Sequence, residues 1–95
     1  MGKPLLLDAP DTAENAAIVP VTIDSLTTGF RELHLLAEGN PYPLLASFSF
    51  NGQAKAKVSL RIKLNKSGPL TLMARGLEQY SMTQRIVRVA MSGCG

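Results

Sequence analysis

Tryptophan is absent from this 95-residue chain, cysteine and histidine occur once each, and aromatic residues make up only 5% of it. One cysteine, Cys94, excludes an internal disulfide, and with no His or Cys cluster beside it a zinc site is excluded as well. Stability must come from packing alone. Neither a G-x-G-x-x-G run nor a Walker-type phosphate loop is present, and one His among scattered Asp residues gives no basis for a Ser-His-Asp set. No cofactor and no metal is expected. No run approaches the ~18 to 20 apolar residues of a bilayer-crossing helix, so a membrane is not an expected partner. Residues 1 to 16 lack the apolar stretch of a secretory signal, and Leu6 stands where a myristoylation signal needs Ser or Thr.

What is present is enough for one folded domain. Apolar residues make up 45% of the chain and charged residues 18%, a balance above that of a disordered segment, and a chain of this length buries roughly two-thirds of its unfolded surface. The formal charge of +3 conceals an asymmetry. Residues 1 to 54 set Asp8, Asp11, Glu14, Asp24, Glu32 and Glu38 against Lys3 and Arg31. Residues 55 to 95 set Lys55, Lys57, Arg61, Lys63, Lys66, Arg75, Arg85 and Arg88 against Glu78 alone. Such clustering can steer anionic ligands or partners, although its simplest use is a solvated strand face.

The apolar residues recur with a period of two, which predicts strands. Val19, Val21 and Ile23 alternate with Pro20, Thr22 and Asp24; Leu33, Leu35 and Ala37 with Glu32, His34 and Leu36; Ala46, Phe48 and Phe50 with Ser47 and Ser49. The longest run sets Val58, Leu60, Ile62 and Leu64 against Lys57, Ser59, Arg61 and Lys63, and predicts a core face and a wet face. Leu70, Leu72 and Ala74 continue the pattern through Tyr80 and Met82, after which Val87, Val89 and Met91 take the opposite parity. That switch predicts a bulge near Gln84. Asn51-Gly52 suits a type I′ hairpin turn, and Thr28-Gly29, Gly39-Asn40-Pro41, Ser67-Gly68-Pro69 and Arg75-Gly76 supply further turns. About seven short strands at this spacing predict an all-β, immunoglobulin-like antiparallel sandwich. The antibody subtype is excluded, since its disulfide and buried Trp are both impossible here. Residues 1–9 read as an N-terminal tail or added start, 10–91 as the sandwich and 92–95 as a C-terminal arm.

Cys94 does not fit a structural role. Free cysteines are usually buried and inert, but Ser92, Gly93 and Gly95 offer nothing to pack over this thiol. An exposed thiol on a flexible tether is expected, with Ser92, Gly93 and Gly95 giving the tether its freedom and Cys94 as the point of covalent attachment. No neighbouring His, Lys or helix N-terminus activates it as a nucleophile, and the residues after it do not form a prenylation motif. No residue is expected to be catalytic. The thiol is expected to be acted upon by other proteins. His34 falls on the solvent parity of its strand and is expected to be a surface or satisfied histidine. Lys57, Arg61 and Lys63 share a strand face where charge discourages edge-to-edge pairing, and the scarcity of aromatics among them argues against nucleic-acid binding.

Three stretches resemble the SoxY family, the sulfur-carrier subunits of the bacterial thiosulfate-oxidising (Sox) system. Glu14-Asn15-Ala16-Ala17-Ile18-Val19-Pro20-Val21 resembles the family's entry strand, Ala37-Glu38-Gly39-Asn40-Pro41-Tyr42-Pro43 its central turn, and Ser92-Gly93-Cys94-Gly95 its terminal arm. The last departs from the family's Gly-Gly-Cys-Gly-Gly, with Ser92 in place of the first glycine. The resemblance implies a non-catalytic periplasmic carrier whose export signal has been removed. It implies pairing with a SoxZ-like sandwich subunit and sulfur intermediates held covalently on Cys94. It also implies dealings with a haem-containing sulfur-transfer enzyme, a sulfate-releasing hydrolase and a sulfane dehydrogenase. Two alternatives remain open: an accessory sandwich of another periplasmic oxidation system with no sulfur cargo, and an interaction module whose terminal cysteine is incidental.

Overall fold

The alternation of apolar and polar residues lets each strand bury one face, and two sheets do so against each other. The computed structural model describes residues 4–90, in which there are eight strands and no helix. They are β1 (Leu5–Asp8), β2 (Thr12–Ala13), β3 (Val19–Ser25), β4 (Phe30–Ala37), β5 (Leu44–Ser49), β6 (Lys57–Ile62), β7 (Gly68–Gly76) and β8 (Tyr80–Val89). One sheet has the order β1-β3-β6 and the other β2-β8-β7-β4-β5. All pairings are antiparallel except that of β2 with β8, which is parallel. The architecture is the expected immunoglobulin-like sandwich. The expected arm, Ser92, Gly93, Cys94 and Gly95, lies outside the described residues.

The core is where the alternation places it. Val19, Val21 and Ile23 of β3, Leu33 and Leu35 of β4, and Leu70 and Leu72 of β7 are buried, with Phe30 and Val87 closing the layer between the sheets. Each such side chain contributes roughly 1.5 to 3 kcal/mol relative to exposure. Ile62 and Leu64 are buried, Val58 and Leu60 pack against the core from the edge, and Lys57, Arg61 and Lys63 face solvent. Strand β6 is an edge strand, so Lys57 and Arg61 stand where they oppose pairing with another chain.

Three expectations need correction. Residues 1–9 are not all a tail: Leu5–Asp8 forms β1, antiparallel to β3, with Leu5 and Leu7 in the core, because this short Leu-Leu-Leu-Asp run alternates in burial. With the two-residue β2, this brings the strand count to eight. Asn51-Gly52 is not a hairpin turn, because β5 and β6 belong to different sheets and the intervening segment carries the chain between them. Gly52 has a positive φ of 85° but Asn51 does not, so a type I′ turn is not formed. The Asn51 side chain instead accepts a hydrogen bond from the Gln53 amide at 2.9 Å.

The third concerns β8. Its register with β7 is unbroken from Tyr80, opposite Arg75, to Val87, opposite Gly68, so there is no bulge at Gln84. Apolar residues occupy both faces of this strand. Val87 points into the core while Tyr80, Met82 and Ile86 point outward and are exposed, and a parity rule that assumes one apolar face misreads such a strand as kinked.

Candidate functional site

Strand β8 decides where the segment bearing Cys94 leaves the domain. Its last residues pair with β2, and the ladder is extended by the amide of Ala90, which donates to the Ala13 carbonyl at 3.0 Å. At this end, three turns surround the exit. The loop between β6 and β7 is fastened to β8 by Ser67, whose hydroxyl accepts from the Val89 amide at 2.8 Å. The same loop is fastened to the turn after β4 by Asn40, whose side-chain amide donates to the Lys63 carbonyl and whose side-chain oxygen accepts from the Asn65 amide, each at 2.8 Å. It is fastened to the turn after β2 by the Leu64 amide, which donates to the Ala16 carbonyl at 2.8 Å. Asn15 shapes that turn by accepting from the Ala17 amide through its side chain and from the Ile18 amide through its carbonyl.

Both family-like stretches quoted from the described part of the sequence, 14–21 and 37–43, therefore meet at the end of the sandwich from which residues 91–95 continue. Sequence reasoning missed the parts of Asn40 and Ser67. Both lie in Gly- and Pro-rich clusters that identify turns, and nothing local says to which other loop a turn is tied.

The charge asymmetry is in part folded onto itself. Arg75 donates to Glu32 at 2.6 Å, Arg85 to Asp11 at 2.7 Å, and Lys57 lies 4.0 Å from Asp24, so each pair joins the acidic half of the chain to the basic half. Among the described residues, Lys55, Arg61, Lys63, Lys66 and Arg88 make no ion pair within 4.0 Å.

His34 is a satisfied histidine on the outer face of the five-stranded sheet. Its Nδ1 lies 2.8 Å from the Ser47 hydroxyl and its Nε2 3.1 Å from Glu32. The Arg75 guanidinium, hydrogen-bonded to the same carboxylate, and then His34 hold Glu32 below the usual carboxylate range, which weakens it as a base behind the imidazole. The cluster reads as a polar tie across β5, β4 and β7. Around it the face is apolar, with Leu44, Tyr80, Met82 and Ile86 between 55% and 60% exposed. Among the described residues no three His, Cys, Asp or Glu side chains gather to hold a metal ion.

The model of the family described as sulfur oxidation protein SoxY matches residues 2–94. The chain belongs to the SoxY family. Among solved structures, the sulfur carrier protein SoxY from Chlorobium limicola f. thiosulfatophilum is 29% identical, with a TM-score of 0.85 over 95% of this chain and 82% of that one. A substituted form of the superoxide reductase (neelaredoxin) from Ignicoccus hospitalis is 21% identical, with a TM-score of 0.77 over 93% of this chain and 81% of that one. A second substituted form of the same reductase is 20% identical, with a TM-score of 0.70 over the same shares. The likeness to the reductase is one of fold alone. No curated protein sequence matches the chain. Within the SoxY family, then, this chain keeps the sandwich and brings β8 out between three cross-tied turns.

Proposed function

We propose that the protein is a covalent carrier of sulfur intermediates in thiosulfate oxidation, working in the periplasm, with cargo attached to the Cys94 thiol. The family match over residues 2–94 carries this reading, and the 29% identity to a sulfur carrier over 95% of the chain supports it. Loading joins the Cys94 sulfur to the outer sulfur of thiosulfate. The thiol loses its proton, and the electron pair released on forming the S–S bond passes as two electrons to the haem-containing partner. Water then attacks the terminal sulfonate sulfur in a hydrolase, releasing sulfate and leaving a persulfide on Cys94. A sulfane dehydrogenase oxidises that outer sulfur to a sulfonate, taking the oxygen atoms from water and passing six electrons to its own electron acceptor, and a second hydrolysis releases sulfate and restores the Cys94 thiol. The carrier's part in each step is to supply the thiol and present it, which asks for an unactivated cysteine beyond a fixed point of exit.

A SoxZ-like subunit is the proposed partner for the outer face of the five-stranded sheet. That face leaves Leu44, Tyr80, Met82 and Ile86 exposed together, more apolar surface than a sheet solvated on one side needs to display.

The test is Cys94→Ser in a reconstituted thiosulfate-oxidising system, with mass spectrometry of the carrier after incubation with thiosulfate and the haem-containing enzyme. Turnover is expected to fall to background and the sulfur adduct to vanish, since Ser has no thiolate to form a sulfur–sulfur bond. Wild-type turnover by Cys94→Ser overturns the reading.

A further inference from the structure

Resting on the carrier reading, we propose that Tyr42 and Ile18 are the apolar anchors on which the enzyme that loads Cys94 docks, seated by its cleft mouth as the thiol enters. Cys94 lies four residues beyond Ala90. Whatever conformation the intervening chain takes, each residue spans at most ~3.6 Å, so the two Cα atoms are no more than about 14 Å apart. A redox centre sits beneath the surface of its enzyme, so a thiol on so short a reach arrives there only if the enzyme's surface closes onto the loops around Ala90. Those loops are the three tied together by Asn40, Ala16 and Ser67.

Two of them carry large side chains that the core does not use. Tyr42, in the turn after β4, is 86% exposed and Ile18, in the turn before β3, is 52% exposed. That turn joins β4 to β5, which lie two and three places from β8 in the sheet, about 10 to 15 Å, within the footprint that a standard interface covers. A rigid aromatic at the centre of a contact is the kind of residue that dominates binding. The nearby charges almost cancel, with Lys63, Lys66 and Arg88 set against Glu14 and Glu38. Docking therefore leans on apolar contact and depends weakly on salt.

The molecule supplies its own control. Leu77 is 78% exposed in the β7–β8 turn, at the other end of β8, whose ten residues span about 30 Å. The experiment measures steady-state loading of the full chain, bound to its SoxZ-like subunit, by the haem-containing sulfur-transfer enzyme with thiosulfate. Tyr42→Ala is expected to raise KM for the carrier about tenfold with kcat nearly unchanged, Ile18→Ala to raise it less, and Leu77→Ala to leave it alone. Reaction of Cys94 with a small disulfide reagent, 5,5′-dithiobis(2-nitrobenzoate), is expected to run at the wild-type rate in all three. An unchanged KM for both Tyr42→Ala and Ile18→Ala, an equal rise with Leu77→Ala, or a slowed small-molecule reaction overturns the proposal. Failure of the carrier reading is separate and shows as loading by Cys94→Ser.

Discussion

The Ser67 hydroxyl accepts a hydrogen bond from the Val89 amide at 2.8 Å, tying the last residue of β8 to the loop that enters β7. Ser67→Ala is expected to cost about 0.5 to 1.5 kcal/mol, the worth of one hydrogen bond that water can partly replace. The loss is local, so amide exchange should quicken at Val89 and stay slow at the buried Leu72. Asn40→Ala removes two such bonds, to the Lys63 carbonyl and the Asn65 amide, and should destabilise by more than Ser67→Ala in chemical denaturation. If both substitutions are silent in exchange and denaturation, the exit of β8 is not held by these ties.

A second expectation concerns the core. Leu72 is fully buried on the inner face of β7, and its neighbours Leu70 and Ala74 are buried on the same face. Leu72→Ala should cost about 2 to 5 kcal/mol, through lost transfer energy and the cavity left behind. Leu77→Ala, in an exposed turn, should stay within about 0.5 kcal/mol. Urea denaturation of the two variants measures the contrast, and equal midpoints would place Leu72 outside the core.

Strands β3, β4, β6 and β7 are legible in the sequence because each has one apolar face, and alternation reports that directly. Where both faces are apolar the same rule fails. Alternation assigns Tyr80 and Met82 to the core parity and turns the switch to Val87 into a bulge, whereas Tyr80, Met82 and Ile86 are outward residues of an unbroken strand. Asn51-Gly52 misleads for a different reason. A turn dipeptide fixes local backbone preference, whereas the destination of the next strand is set by the sheet order, which no dipeptide encodes. Leu5 and Leu7 escape a periodicity argument because a four-residue strand supplies too few alternations to count. The ties made by Asn40 and Ser67 join residues more than twenty positions apart, and no periodicity marks such a pair.

A third expectation is a pH dependence from Glu32. Its carboxyl is held below the usual range by the hydrogen bond from Arg75 first and by His34 second. The unfolded chain therefore takes up this proton before the folded one does as pH falls. The stabilisation is complete above the ordinary glutamate range and is lost as pH falls through the lower folded value. Melting temperatures of the wild type and Glu32→Gln should differ at neutral pH and converge below about pH 4. A gap that stays constant over that range would mean that the Arg75–Glu32 contact contributes nothing that depends on charge.

The last expectation tests the outer face. Met82 and Ile86 lie on the same face of β8, four residues apart in an unbroken ladder, and are 57% and 58% exposed. Replacing either with Asp on a solvated surface should change the stability of the isolated chain by no more than about 0.5 kcal/mol. Within an interface the same change buries an unpaired charge, for which the desolvation cost is severe. Met82→Asp with Ile86→Asp should therefore leave the melting temperature of the chain alone nearly unchanged while abolishing its co-elution with a SoxZ-like subunit in size-exclusion chromatography. Lys57→Ala with Arg61→Ala, on the edge strand of the opposite sheet, should leave co-elution intact, because these residues lie away from the proposed face. If the Asp variant co-elutes as the wild type does, the partner does not sit on this face, and the exposed residues of β8 need another explanation.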